Sequence, residues 1–211
     1  MVSTSICDAL AGTVPEKVRL TMVIHTIGHS NRTAEDMTAQ LRSHSIALLV
    51  DIRAFPRSRR HPQFDRAALS TSLAQAGIGY HWSGRELGGF RKPRGDSENT
   101  ALRDAAFRGF ADYMGSERFQ SAMARLLESA ASCQLTMMCA EGNHHHCHRQ
   151  FIADYLELAG HAVFHINGDG SLSRHQFHGC LNEAGDQPVY NKHEQRDLFA
   201  DDDDHDLVVR K

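Results

Sequence analysis

Leu135-Thr-Met-Met-Cys-Ala-Glu-Gly-Asn-His-His-His-Cys-His-Arg-Gln-Phe151 is the stretch whose reading decides the fold. Leu135 to Cys139 is an apolar run of strand length, and a polar loop follows. From Phe151 the apolar residues Phe151, Ile152, Tyr155, Leu156 and Leu158 recur at helical spacing up to Gly160. The chain therefore reads strand, loop, helix, with a cysteine at the strand's carboxyl end. In open α/β folds the crevice beyond the strand ends is where ligands bind. Cys139 to Arg149 holds two thiols, four imidazoles, a carboxylate and a guanidinium, too many polar groups for a packing element.

The same alternation extends outward. Arg19 to Ile27 is rich in β-branched residues and alternates as a strand should, and Gly28-His29-Ser30-Asn31 turns it. Thr33 with Asp36 resembles a capping box and predicts a helix to about His44, with Met37 and Leu41 inward. Ile46-Ala-Leu-Leu-Val50 is continuously apolar, as a parallel strand buried on both faces must be, and Asp51-Ile-Arg53 closes it. Phe55 to Phe64 is a loop bracketed by prolines and carrying Arg57, Arg59 and Arg60. Asp65 is placed to cap a helix from Arg66 to Ala76, ended by Gly77. Ile78 to Trp82 reads as a strand and Ser83 to Thr100 as a long loop. Helices are expected at about 101–114 and 116–131, a strand from His161 to Ile166, and a further helix from Ser173 to about Leu181.

Strands alternating with helices predict an α/β fold, a single domain whose mostly parallel sheet carries helices on both faces. His29, Asp51, Arg53 and Cys139 then lie at or just past strand ends and should line one crevice.

The chain's 211 residues suit one such domain. With 41% hydrophobic and 23% charged residues it has the profile of a globular protein. No apolar run approaches the roughly 18 residues of a membrane helix. The first twenty residues include Asp8 and Glu16 and lack a secretory signal, so a cytoplasmic location and no membrane partner are expected. Cys7, Cys133, Cys139, Cys147 and Cys180 are odd in number and irregularly spaced, which reads as reduced thiols. Residues 1–181 carry 19 Lys and Arg against 17 Asp and Glu, whereas residues 182–211 carry 4 against 9. The expected organisation is a flexible arm over 1–18, the α/β domain over 19–184, and an acidic flexible tail over 185–211.

Thr26-Ile-Gly-His-Ser-Asn31, Val50-Asp-Ile-Arg-Ala-Phe-Pro-Arg-Ser58, Pro62-Gln-Phe64, Glu86-Leu-Gly-Gly89, and Cys139-Ala-Glu141 with Cys147-His-Arg149 together resemble the domain-of-unknown-function 488 family, across roughly residues 21–167. The resemblance implies an α/β domain with an active site but no established reaction. Its motif positions here are Gly28, His29, Ser30, Asp51, Arg53, Pro56, Glu86, Cys139, Glu141, Cys147, His148 and Arg149. The three consecutive histidines and the acidic tail depart from the family pattern.

Several kinds of chemistry fit these residues. A cysteine between a strand end and a helix start, near His148 and Arg149, has its thiolate favoured, so Cys139 is a candidate nucleophile with Glu141 or His148 as acid or base. The bland reading is a buried thiol acting as a small hydrophobe. Cys139, Cys147 and His148 also have donor types that zinc or iron accepts, although C-x7-C-H lacks the usual paired spacing. His29, Asp51, Arg53, Arg57, Glu86 and Arg149 are the candidate substrate-binding residues, because arginine forks suit phosphate; against this, Asp51 and Arg53 could be a structural ion pair. Interspersed aromatics make a nucleic acid or nucleotide the favoured anion.

The leading expectation is thus an enzyme acting on a phosphate-bearing substrate, through cysteine-dependent or metal-assisted chemistry at Cys139. One rival is a non-catalytic nucleic-acid-binding or repair-associated adaptor. For it, Gln195-Arg-Asp-Leu-Phe199 resembles the bacterial sliding-clamp binding peptide, with Gln195, Leu198 and Phe199 as contacts. Another is a rhodanese-like or thiol-redox protein, for which no compact C-x5-R loop is present.

Overall fold

The computed structural model describes residues 21–185 and 187–192. The arm over 1–18 and the peptide bearing Gln195, Leu198 and Phe199 lie outside them. Six strands, β1 (Val23–Gly28), β2 (Leu48–Asp51), β3 (Gly79–Trp82), β4 (Leu135–Cys139), β5 (Ala162–Ile166) and β6 (Leu172–Arg174), form one sheet in the order β3-β2-β4-β1-β5-β6. All pairings are parallel except β5 with β6. The helices are α1 (Ala34–Ser43), α2 (Arg66–Gln75), a short α3 (Gly84–Leu87), α4 (Ala105–Met114), α5 (Glu117–Ser132) and α6 (Arg149–Leu158).

Side chains alternate across a strand, so each strand feeds two cores. Leu135, Met137 and Cys139 of β4 pack with Phe110, Phe119 and Phe151 from α4, α5 and α6. Met138 faces the other way, among Met37 and Leu41 of α1 and Leu69 and Leu73 of α2. All five residues of β4 are buried, which accounts for its apolar composition. The helix after β1 covers one face and the helix after β4 covers the opposite face, although the two strands are neighbours. That reversal leaves a crevice at their carboxyl ends. Across it His29 N–H donates to the Cys139 carbonyl at 2.9 Å and Ile52 N–H to the Met138 carbonyl at 3.0 Å.

The sequence placed most elements to within a few residues. Thr33 caps α1 as expected, accepting from Asp36 N–H at 3.0 Å. Asp65 stands at the N-cap of α2 but makes no cap bond; its carboxylate instead accepts from Ser58 N–H at 2.6 Å and so secures the arginine loop. The long loop after β3 begins with the α3 turn and is tied down by Asp112, which accepts from Arg94 N–H, Ser97 Oγ and Asn99 Nδ2.

The helix expected from Ser173 to Leu181 is absent. Asn167-Gly-Asp-Gly170 makes a tight turn, with Gly170 at φ +84°, and sends residues 172–174 back along β5 as an antiparallel edge strand. Order also continues past Gly185, where a flexible tail was expected to begin. Asn182 pairs with Val189, and Tyr190 is fully buried, its hydroxyl donating to Asp154 at 2.8 Å. The apolar pair Val189-Tyr190 is what an acidic composition concealed.

Asp154 is itself fully buried and receives His175 Nε2 at 2.8 Å; His175 Nδ1 meets His165 Nε2 at 3.0 Å, and His165 Nδ1 meets Thr26 Oγ1 at 2.7 Å. Replacing Tyr190 with Phe strips Asp154 of one donor and should lower unfolding free energy by about 1–3 kcal/mol, read from urea melts. Truncation after residue 185 should cost more.

Candidate active site

Buried charge must be paired. Asp51, fully buried at the end of β2, accepts from the N–H, Nε and Nη2 of Arg53 at 3.0, 2.9 and 2.7 Å and from Tyr80 Oη at 2.8 Å. Tyr80 belongs to β3, so the pair locks two strands together. Arg53 Nη2 also donates to the Phe64 carbonyl at 2.8 Å. The Asp51–Arg53 pair is thus structural, yet Arg53 still lines the crevice while Asp51 does not.

Cys139 lies at the crevice floor, 7% exposed. Its Sγ stands 3.8 Å from His148 Nδ1, and Cys147 Sγ stands 3.7 Å from the same nitrogen. The neighbouring Cys147 thiol, with His148 and Arg149, holds the Cys139 thiol well below the ordinary range in spite of burial. Burial, with the neighbouring Cys139 sulfur, pushes Cys147 up. The two sulfurs thus differ in acidity, Cys139 being the more acidic. His148 fits so closely because Gly89 has no side chain: a Cβ there would come within 2.8 Å of the imidazole. Within Glu86-Leu-Gly-Gly89, the glycine shapes the site. Glu86 lines neither cavity and sits 3.6 Å from Arg118.

Arg149, the first residue of α6, is 1% exposed and lines neither cavity. Its Nη2 donates to the Gly142 carbonyl at 3.1 Å, while Nε and Nη1 have no hydrogen-bond partner among the described residues. No described carboxylate pairs with it, so its charge supports the Cys139 thiolate and its fork props up the loop above. Gly28 leaves room for it: a Cβ there would overlap the Glu141 carbonyl oxygen and approach Arg149 Nη1 to 2.6 Å.

His29 stacks on Phe64 with centroids 4.4 Å apart, and Nδ1 meets the Ser30 carbonyl at 2.9 Å. A carbonyl only accepts, so Nδ1 carries the proton. Burial lowers the His29 pKa to about 4, which keeps the ring neutral at pH 7 and leaves Nε2 as a lone pair beside the polar part of the crevice.

That crevice has two adjoining parts. A cavity of about 370 Å³ is lined by Cys139, Cys147 and His148 with Ala54, Phe55, Phe90 and Phe107. Another of about 580 Å³ is lined by His29, Ser30, Asn31, Arg57, Ser58, Arg60 and His61. Arg53, Phe55, Ala140 and Glu141 belong to both. Arg59 faces neither. Arg57, Arg59 and Arg60 have no ion-pair partner among the described residues.

A family model for a domain of unknown function, DUF488, matches residues 33–156. The chain belongs to the DUF488 family. No curated protein and no solved structure matches it. The matched span includes Asp51, Arg53 and the whole Cys139–Arg149 stretch, and His29 lies just before it.

Among the described residues of this DUF488 chain, two groups bring three metal-type donors within 4.8 Å: Cys139, Cys147 and His148, and separately His144, His165 and His175. The second fails on orientation. His144 and His165 stack at 14° with centroids 3.6 Å apart, and imidazole lone pairs lie in the ring plane, so near-parallel rings cannot converge on one ion. His145 and His146 are exposed. The sequence missed His165, His175 and Asp154 because nothing in their spacing links them; only the sheet and α6 bring them together.

The lowered Cys139 pKa means that its thiolate persists as pH falls, where an ordinary thiol with pKa about 8.5 protonates and loses reactivity about tenfold per unit. Iodoacetamide labelling of Cys139 should therefore stay nearly flat from pH 8.5 to neutrality, and Cys147→Ala, which removes the largest of the three lowering influences, should make it fall more steeply. Gly28→Ala should destabilise the domain by about 1–3 kcal/mol or more in thermal or urea unfolding, since backbone and a buried guanidinium occupy the space of the new methyl.

Proposed function

We propose that this protein is a cysteine-dependent enzyme acting on a phosphate-bearing substrate, a nucleic acid or nucleotide. The observation that carries the reading is a favoured thiolate opening into a crevice whose other half presents unpaired arginines. Cys139 is the nucleophile. His148, 3.8 Å from it, and Glu141, at the border of both cavities, are placed as acid or base. Arg53, Arg57 and Arg60 receive the phosphate, and Arg149 lends its charge from beneath the loop.

A basic loop that binds phosphate releases counterions, so affinity must fall with salt. Binding of a fluorescent oligonucleotide should weaken as salt rises. Arg57→Ala with Arg60→Ala should reduce the slope of log affinity against log salt by about 1 per arginine. An unchanged slope removes the arginine loop from the proposal.

A second reading is favoured by the distances around His148 Nδ1. Two sulfurs 3.7 and 3.8 Å from one nitrogen have about the edge lengths expected of ligands on a tetrahedral zinc, whose bonds are about 2.3 Å to sulfur and about 2.0 Å to nitrogen. Such a centre, of zinc or iron, would hold three protein ligands and leave a position for substrate or water. Metal analysis of protein purified without an affinity tag separates the two. One equivalent of zinc or iron lost on Cys147→Ala replaces the nucleophile reading, and metal-free protein with alkylatable Cys139 retains it.

A further inference from the structure

The crevice is divided in a way that bears on which atom of the substrate reacts. Cys139 lines only the apolar cavity, and the arginines beyond Arg53 line only the polar one. The apolar cavity falls in the size range of small-ligand pockets, about 300–1,000 Å³. Its outer wall is Phe55, 72% exposed, and Phe90, 73% exposed, with centroids 5.6 Å apart. They are the two most exposed large hydrophobic side chains among the described residues, and they come from separate loops. Aromatic rings left in water at the rim of a cavity supply a surface on which a flat ring can stack.

We infer that the substrate is an unstacked nucleotide, with its base in the apolar cavity over Cys139 and its phosphate among Arg57, Arg60 and His61; this rests on the phosphate-binding function proposed for the crevice. The Cys139 sulfur then meets an atom of the base, and the phosphate is a handle held one chamber away. A base paired and stacked in a duplex cannot enter a cavity whose floor is a cysteine only 7% exposed, so the strand must be single or the base turned out. Glu141, on the border between the two chambers, is placed to act on the base while the phosphate stays bound.

Protection of Cys139 from iodoacetamide in the full-length protein, followed by peptide mass spectrometry, tests the division. Probes are inorganic phosphate, the four nucleoside 5′-monophosphates singly, a single-stranded oligonucleotide and its duplex. The single strand at saturation should slow Cys139 labelling by about tenfold or more, and at least one nucleotide should do the same. Inorganic phosphate and the duplex should leave it unchanged. Phe55→Ala with Phe90→Ala should weaken single-strand binding by about tenfold.

Equal protection by inorganic phosphate would overturn the division, because phosphate would then reach the sulfur. Equal protection by duplex would overturn the unstacked base. Arg57- and Arg60-dependent oligonucleotide binding without protection of Cys139 would refute this inference alone. Absence of any oligonucleotide or phosphate binding would refute the function on which it rests.

Discussion

A carboxylate with no exposed surface at the end of a central strand needs compensation, and in this fold the compensation builds the crevice. Asp51 draws in Arg53 from two residues on and Tyr80 from the adjoining strand. Arg53 then reaches the Phe64 carbonyl and thereby closes the proline-bracketed loop, while Trp82 Nε1 donates to the Arg53 carbonyl at 2.9 Å. β2, β3 and the arginine loop thus share one buried anchor. Removing either partner would leave an uncompensated charge in the interior, a loss of about 3–5 kcal/mol. The same anchor keeps Arg53 against both cavities, so a structural pair and a binding surface share one side chain.

Across the crevice the arrangement is the reverse. Arg149 is a buried cation without a carboxylate partner among the described residues, and its charge is among those that lower the Cys139 pKa. A guanidinium that remains charged at any physiological pH makes the thiolate the less costly form of the cysteine. Gly28 and Gly89 work on the same geometry by subtraction, one making room for Arg149 and the other for His148.

Much of this could be read from the chain. Continuous apolar runs such as Ile46–Val50 and Leu135–Cys139 have few alternatives to strands in a covered parallel sheet. The polar residues just after them then had to face one end, which placed His29, Arg53 and Cys139 correctly. What the sequence could not convey was direction. Glu86 and Arg149 stand in motifs beside the site, yet one turns to Arg118 and the other goes beneath the loop. Local sequence likewise could not reveal a hairpin in place of the last helix, because Ser173–Leu181 suits either and the Gly168 and Gly170 turn decides it. Tyr190 was hidden for another reason: a single buried ring among acidic residues leaves little trace in composition.

The row from Tyr190 to Thr26 has a property of its own. With His175 neutral, its Nε2 proton faces Asp154, so Nδ1 must accept from His165 and His165 must accept from Thr26. Every hydrogen in the row then points toward the carboxylate. A second proton on His175 would invert that order from His175 to Thr26, while Tyr190 and His175 Nε2 go on donating to Asp154: His175 donates to His165, His165 donates to Thr26, and the hydroxyl turns away. Burial lowers the His165 pKa to about 2, which keeps this ring neutral and makes it pass the reversal on. From His175 to Thr26 the row is a wire with two polarities, and Asp154 ties its fixed end to the segment around residue 190.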